Sequence, residues 1–243
     1  EHLHCDPERM TPTYLKPRDK DCPGLKGEHN RYDTKNRSLT LPEMEERIIG
    51  SIEGLLHTLD ALILIDQVDE KDCGAVTQAV VKRIADIAPQ YRRVIFWADS
   101  RRRIGTFRNV IIKPNQFEAC GIADPKPDEE IAPEELARNI ESLRKTTGAP
   151  IFATAGRRGM YVSDPELTLI PTVQLEGPLD TTGAGDSVTA ACVLSLASGA
   201  CPAEAALIGN LVASITVQQL DTTGTARQEE LFDRLAMYKE QQR

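Results

Sequence analysis

Seven residues in the C-terminal third, Asp180-Thr-Thr-Gly-Ala-Gly-Asp186, place two carboxylates and a run of small residues at the start of a helical stretch. A helix start leaves main-chain N–H groups without intrahelical partners, and small side chains at Gly183, Ala184 and Gly185 open them to a ligand. Together with the positive end of the helix dipole, such a turn favours an anion, and a phosphate fits there. The same string satisfies a plainer reading, in which the glycines make a tight turn and Asp186 complements the dipole. A second cluster is Lys113-Pro-Asn115-Gln-Phe-Glu118. Asn followed three residues on by Glu is a capping box, and Lys113 either reaches a phosphate as a point charge or carries its ammonium to solvent. Thr154-Ala-Gly156-Arg-Arg-Gly159 reads as a hairpin turn, and Asn210 is a polar residue in an apolar helix that needs a partner if buried.

The elements that must carry these residues alternate between helical and strand periods from Pro42 onward, which predicts an α/β domain with a mostly parallel sheet. Ile48, Ile52, Leu55, Leu56 and Leu59 recur at helical spacing, and residues 61–65 form an apolar run expected to be a strand buried on both faces, ending at Asp66. Val76, Ala79, Val80, Ile84 and Ile87 predict a second helix, followed by a strand over 94–98 that ends at Asp99. Short strands are expected at 110–112 and 151–153, with a helix over 134–145 between them and a hairpin into 160–162 where the sheet turns antiparallel. Asp66 and Asp99 stand where ligands gather in parallel sheets, and each also suits a loop cap, the reading preferred for Asp66. Two helices rich in small residues, 184–197 and 203–219, are expected to pack closely, and 228–239 to form a surface helix. Residues 1–41 show no clean period and are expected to be loops or short irregular strands.

Forty per cent apolar and 27% charged residues in 243 suit one large domain or at most two. A formal charge of -8 argues against a nucleic-acid partner, which would need clustered positive charge. No apolar run reaches the roughly 18 residues of a membrane span, so no membrane partner is expected. Six cysteines without a C-x-x-C pair are expected to be reduced thiols in a cytoplasmic protein, and His2, His4 and Cys5 lack a fourth ligand, so no zinc is expected.

The string DTTGAGD resembles the C-terminal signature of the PfkB, or ribokinase-like, family of carbohydrate kinases. Other segments resembling the family follow in order: KPNQFE at 113–118, TAGRRG at 154–159, and a helix with Asn210 leading into Asp221-Thr-Thr-Gly-Thr-Ala226. The resemblance runs from about Leu59 to Leu235. It is nearest to the heptose kinases of the ADP-heptose pathway, through TPTYLKPR near Thr11 and NRYD near Asn30.

What the resemblance implies is a ribokinase-like three-layer α/β/α domain that moves the γ-phosphate of ATP to a hydroxyl of a sugar or sugar phosphate, with Mg²⁺. Asp186 would be the catalytic base, and Gly183, Ala184 and Gly185 the anion hole. Lys113, Asn115 and Glu118 would serve the nucleotide phosphates, the latter two acting on Mg²⁺ through water. Thr154, Gly156 and Gly159 would form the nucleotide-side turn, and Asn210 would meet adenine or, in the plainer reading, a backbone carbonyl. Asp99-Ser-Arg101 resembles an element beside the active cleft. Asp180 and Thr182, with the 221–226 loop, would hold K⁺. The expected partners are a small-molecule sugar or sugar phosphate and a second copy of the chain as a homodimer.

The family's opening strand and Gly-Gly-x-x-x-Asn segment do not precede Thr11, so the chain is expected to be truncated, with unpaired sheet edges. Residues 1–41 are then a remnant of the substrate or lid region and 42–243 the nucleotide-binding and catalytic domain. Two other functions stay open: a nucleotide-binding ribokinase-like protein without kinase activity, and a kinase of a non-sugar small molecule such as a nucleoside or vitamin precursor.

Overall fold

Helical and strand periods alternate because each helix must cover a sheet face, and the structure shows that layering. The computed structural model describes residues 2–22, 25–126 and 129–243. An N-terminal antiparallel pair, β1 (Thr13–Leu15) and β2 (Tyr32–Thr34), precedes α1 (Pro42–Leu55), β3 (Ala61–Asp66), α2 (Gln78–Ile87), β4 (Ile95–Ser100) and β5 (Ile111–Ile112). There follow α3 (Gln116–Ala119), α4 (Pro133–Thr147), β6 (Phe152–Thr154), β7 (Met160–Val162) and β8 (Thr168–Ile170), then α5 (Ala184–Ala197), α6 (Pro202–Thr216) and α7 (Gln228–Gln241).

β3, β4 and β5 pair in parallel in that order, and β6, β7 and β8 pair antiparallel. Parallel bridges from Ile112 to Ile151 and from Asn115 to Thr154 join the two sets. The sheet turns antiparallel at the expected hairpin. β8 leaves no clear mark in the sequence, because its residues are mostly exposed and carry little alternation.

Alternation along β4 divides the core. Phe96 and Ala98 face one side with Val80 and Ile84 of α2, Leu136 and Ile140 of α4, and Ile112. Trp97 faces the other, with Phe152, Met160 and Val162 beneath Val188 and Cys192 of α5 and Ala205 of α6. The Trp97 and Phe152 rings pack 5.0 Å apart at 52°, a tilted pair adding on the order of 1 kcal/mol beyond area burial. The small residues of α5 and α6 allow close approach: a Cβ on Gly209 would stand 2.6 Å from Cys192 Sγ.

The strand over 61–65 departs from the burial its apolar run predicts. Residues 61–65 are not buried on both faces, since Ile63 is 40% and Ile65 38% exposed. β3 is an edge strand among the described residues. Leu64 and Asp66 turn into the core, whereas α5 packs on β4 and leaves the outer face of β3 uncovered. Asp66 is also more than a loop cap. It is buried, accepts from Ser100 Oγ at 2.6 Å, and pairs with Arg103 at 2.8 Å.

The α6 helix stops earlier than its apolar pattern predicts. After Thr216 the chain turns, and the Gln219 side chain pins the main chain of Thr225 through both its amide nitrogen and its oxygen. No helix among the described residues is long and apolar enough to cross a membrane. All six cysteines are unpaired, and His4 hydrogen-bonds Ser51.

Candidate active site

The C-terminal ends of β4, β5 and β6 and the N-terminus of α5 open onto one cleft of about 850 Å³. Along its lining the chain enters α5 through Gly183, whose φ of 77° is a left-handed conformation that costs glycine little. A Cβ there would also lie 2.7 Å from Thr223 Cγ2. The preceding turn is tied twice: Asp180 Oδ1 accepts from the Thr182 N–H at 3.0 Å, and the Asp180 N–H donates to the Val217 carbonyl at 2.8 Å. Burial pushes the Asp180 carboxyl up, but hydrogen bonds from Thr182 and from the Asp221 backbone outweigh it and hold the carboxyl below its usual range.

Among the described residues no hydrogen bond takes up the N–H groups of Gly183, Gly185 or Asp186, whereas the Ala184 N–H turns back to the Thr181 carbonyl at 3.1 Å. Unpaired donors at the positive end of a fourteen-residue helix suit an anion. Asp186, in the first turn, is exposed and borders the cleft.

Across the cleft, β5 delivers Lys113 and α3 begins. Asn115 caps α3 through Oδ1, which accepts from Phe117 at 2.8 Å and Glu118 at 2.9 Å, while the Asn115 N–H donates to Glu118 Oε2 at 2.7 Å. The capping box is real, and both residues still border the cleft. Burial pushes the Glu118 carboxyl up to about 7; the Asn115 N–H opposes this, the Asp99 charge adds to it, and Lys113 and Arg101 oppose it. A carboxyl so disfavoured as an anion gains from a divalent cation placed beside it.

The remaining sequence candidates converge on the same cleft. Thr154 ends β6 beside Asn115, and Gly156 and Gly159 form the turn to β7 with φ of 55° and 105°. A Cβ on Gly159 would overlap the Ile170 carbonyl oxygen, so this turn and β8 touch main chain to main chain. Asn210 is buried and donates from Nδ2 to the Ile170 carbonyl at 2.8 Å and the Pro171 carbonyl at 3.2 Å, which meets its need for a partner within the protein. It also edges the cleft.

Residues 61–229 match the model of the pfkB family of carbohydrate kinases. The chain belongs to that family. As a pfkB protein it is similar to the bifunctional protein HldE of Wolinella succinogenes, 28% identical over 207 residues that make up 84% of this chain and 42% of that one. The chain spans less than half the length of such curated relatives. In fold it is similar to the ribokinase of Thermotoga maritima, with a TM-score of 0.62 at 19% identity over 93% of this chain and 70% of that one. It is likewise similar to phosphofructokinase-2 of Escherichia coli in complex with potassium, with a TM-score of 0.63 at 16% identity over 88% and 68% of the two chains.

This pfkB chain also brings Tyr14 and Arg31, which carry no expected role, to the cleft beside Arg101 of the expected Asp99–Arg101 element. Tyr14 of β1 donates its hydroxyl to the Gln67 carbonyl at 2.9 Å, and its ring lies under two guanidinium groups, Arg31 at 4.8 Å and Arg101 at 5.4 Å. Arg31 is held by Asp33 through a bidentate contact of 2.6 and 2.8 Å, and Lys35 next to β2 pairs with Asp69 at 2.7 Å. The N-terminal hairpin is thereby docked on the loop after β3. The only sequence signal for it was the resemblance of the segments near Thr11 and Asn30, since stacking across 17 and 87 residues leaves no periodic trace.

Proposed function

We propose that this protein transfers the γ-phosphoryl group of Mg²⁺-bound ATP to a hydroxyl of a sugar or sugar phosphate. The observation that carries this is the start of α5, where free N–H groups and the Asp186 carboxylate share one cleft with the Lys113 ammonium and the Asn115–Glu118 box. Donors, ammonium and carboxyl suit the phosphates and the metal: the N–H groups and the Lys113 ammonium would take the negative charge, and Asn115 and Glu118 would hold Mg²⁺ through water. ATP supplies the reactive phosphoryl group, and Mg²⁺ neutralises its charge.

The protein's own part is orientation and charge. Asp186 accepts the proton of the attacking hydroxyl, late in a loose transition state that asks for placement more than for a strong base. The N–H groups of Gly183, Gly185 and Asp186 stabilise the charge spread over the equatorial oxygens. Lys16, Arg31 and Arg101 border the hairpin end of the cleft, which supports an acceptor carrying an anionic substituent. Asp180, Thr182 and the 221–226 loop offer oxygens to K⁺ beside the turn; the potassium complex of the similar phosphofructokinase-2 supports that assignment.

The test is ADP formation from ATP across a panel of sugars and sugar phosphates. Acceptor-dependent ADP release that the Asp186→Asn variant lacks would support the reading, whereas nucleotide binding without turnover of any acceptor would count against it.

A further inference from the structure

The register of β4 on β5 sets Trp97 opposite Ile111 and Ala98 opposite Ile112, so one step further Asp99 and Lys113 come side by side. The Lys113 N–H donates to the Ala98 carbonyl at 2.9 Å, which holds that step in register. By alternation both side chains leave on the Trp97 face, the one covered by α5. There Lys113 Nζ lies 2.7 Å from Asp99 Oδ2, with the two side chains only 5% and 10% exposed.

A buried ion pair is a poor way to stabilise a sheet, because desolvating two charges offsets most of their attraction, and apolar residues of similar volume commonly do as well. The position of the ammonium offers another reason for the pair. A Cβ on Gly185 would stand 3.4 Å from Lys113 Nζ, so the ammonium sits against the first turn of α5 where the N–H groups of Gly185 and Asp186 are free. An ammonium has three donors, and Asp99 engages one. On its flexible four-carbon stem an unanchored ammonium would have many places to go.

We propose that Asp99 is a positioning residue: it fixes the Lys113 ammonium against Gly185, so that the remaining ammonium donors and the α5 N–H groups form one preorganised set for the phosphoryl group in transfer. The inference rests on the phosphoryl-transfer reading above. It differs from a structural role in what it stabilises, since a preorganised donor set favours the transferring group over the ground-state nucleotide.

Calorimetric titration of the whole chain with Mg·ADP alone and with Mg·ADP plus aluminium fluoride, which imitates the transferring phosphoryl group, reads that difference directly. The wild-type chain is expected to bind the fluoride complex more tightly than Mg·ADP. Asp99→Asn and Lys113→Met should each lose roughly tenfold or more of that gain, with a smaller change for Mg·ADP itself. Because Asp99 acts through Lys113, the double variant should lose no more than Lys113→Met alone. Asp99→Glu, which keeps the carboxylate, should recover part of the gain, and thermal melts check that each variant is folded. Should Asp99→Asn fail to fold, Asp99→Glu carries the comparison, since shifting the carboxylate by one methylene must still cost part of the gain if Asp99 fixes the ammonium. A full gain in the double variant or in Asp99→Asn, equal losses for the two ligands, or losses that add in the double variant would overturn the role of Asp99. Absence of any Mg·ADP binding by the wild-type chain would instead bring down the phosphoryl-transfer reading together with this inference.

Discussion

Asn115 and Glu118 hold each other in both directions: the Asn115 N–H donates to Glu118 Oε2 at 2.7 Å, and Asn115 Oδ1 accepts from the Glu118 N–H at 2.9 Å. The carboxyl that closes this box is mostly buried and is pushed from its ordinary 4.5 up to about 7. A raised carboxyl pKa means that the folded state binds the proton more tightly than the unfolded state. Its contribution to stability is therefore complete at low pH and is lost as pH rises from about 4.5 to about 7, at most about 3 kcal/mol.

Glu118→Gln removes the titration and keeps an oxygen to accept from Asn115. Relative to wild type it is expected to gain stability at pH 8 and little at pH 4.5, while Mg²⁺-dependent nucleotide binding weakens. Denaturant melts at the two pH values and a magnesium titration check both halves. An identical stability difference at both pH values would contradict the burial argument.

Asp186→Asn is expected to lower kcat by about a hundredfold or more, the scale of a lost general base, with melting temperature and nucleotide affinity close to wild type. Asp186 is exposed in the first turn of α5, so little packing depends on it. Retention of full turnover would remove it from the base role.

Gly183→Ala meets two obstacles, a φ of 77° and a Cβ 2.7 Å from Thr223 Cγ2. The expected cost is roughly 1–3 kcal/mol in denaturant unfolding. Thr223→Ser removes the crowding methyl and should return part, though not all, of that cost, because the backbone strain persists. A double variant no better than Gly183→Ala would show that strain alone acts.

Arg103→Met should destabilise the fold by about 3–5 kcal/mol, because Asp66, only 4% exposed, would keep a buried charge without its 2.8 Å partner. Adding Asp66→Asn removes that charge and is expected to recover a substantial share. Chemical denaturation of the pair decides.

Rates compared in K⁺, Na⁺ and a bulky organic cation at equal ionic strength test the proposed K⁺ role of Asp180. K⁺ is expected to give the highest rate, and Asp180→Ala to abolish the difference. Equal rates in all three salts would delete the cation from the site and leave phosphoryl transfer standing.

Apolar periods and contiguity set the layering and put the Gly183–Asp186 turn at a helix start. Both are local: the 3.6 and 2 periods of apolar residues mark which elements bury which face, and Gly183 to Asp186 must adjoin a helix start because they are contiguous with it. The capping box was legible for the same reason, its partners being three residues apart. Contacts between partners far apart in the chain follow instead from how the layers pack. The exposure of Ile63 and Ile65 depends on which strand lies at the edge and how far α5 reaches, neither of which is written in residues 61–65. Asn210 finds its acceptors 40 and 39 residues away, at Ile170 and Pro171. Asp99 and Lys113 meet because β4 and β5 share one register, and the Lys113 ammonium meets Gly185 because α5 starts above that pair. Periodicity reports burial, whereas register and helix placement follow from how whole layers pack, and those set the distances on which the chemistry depends.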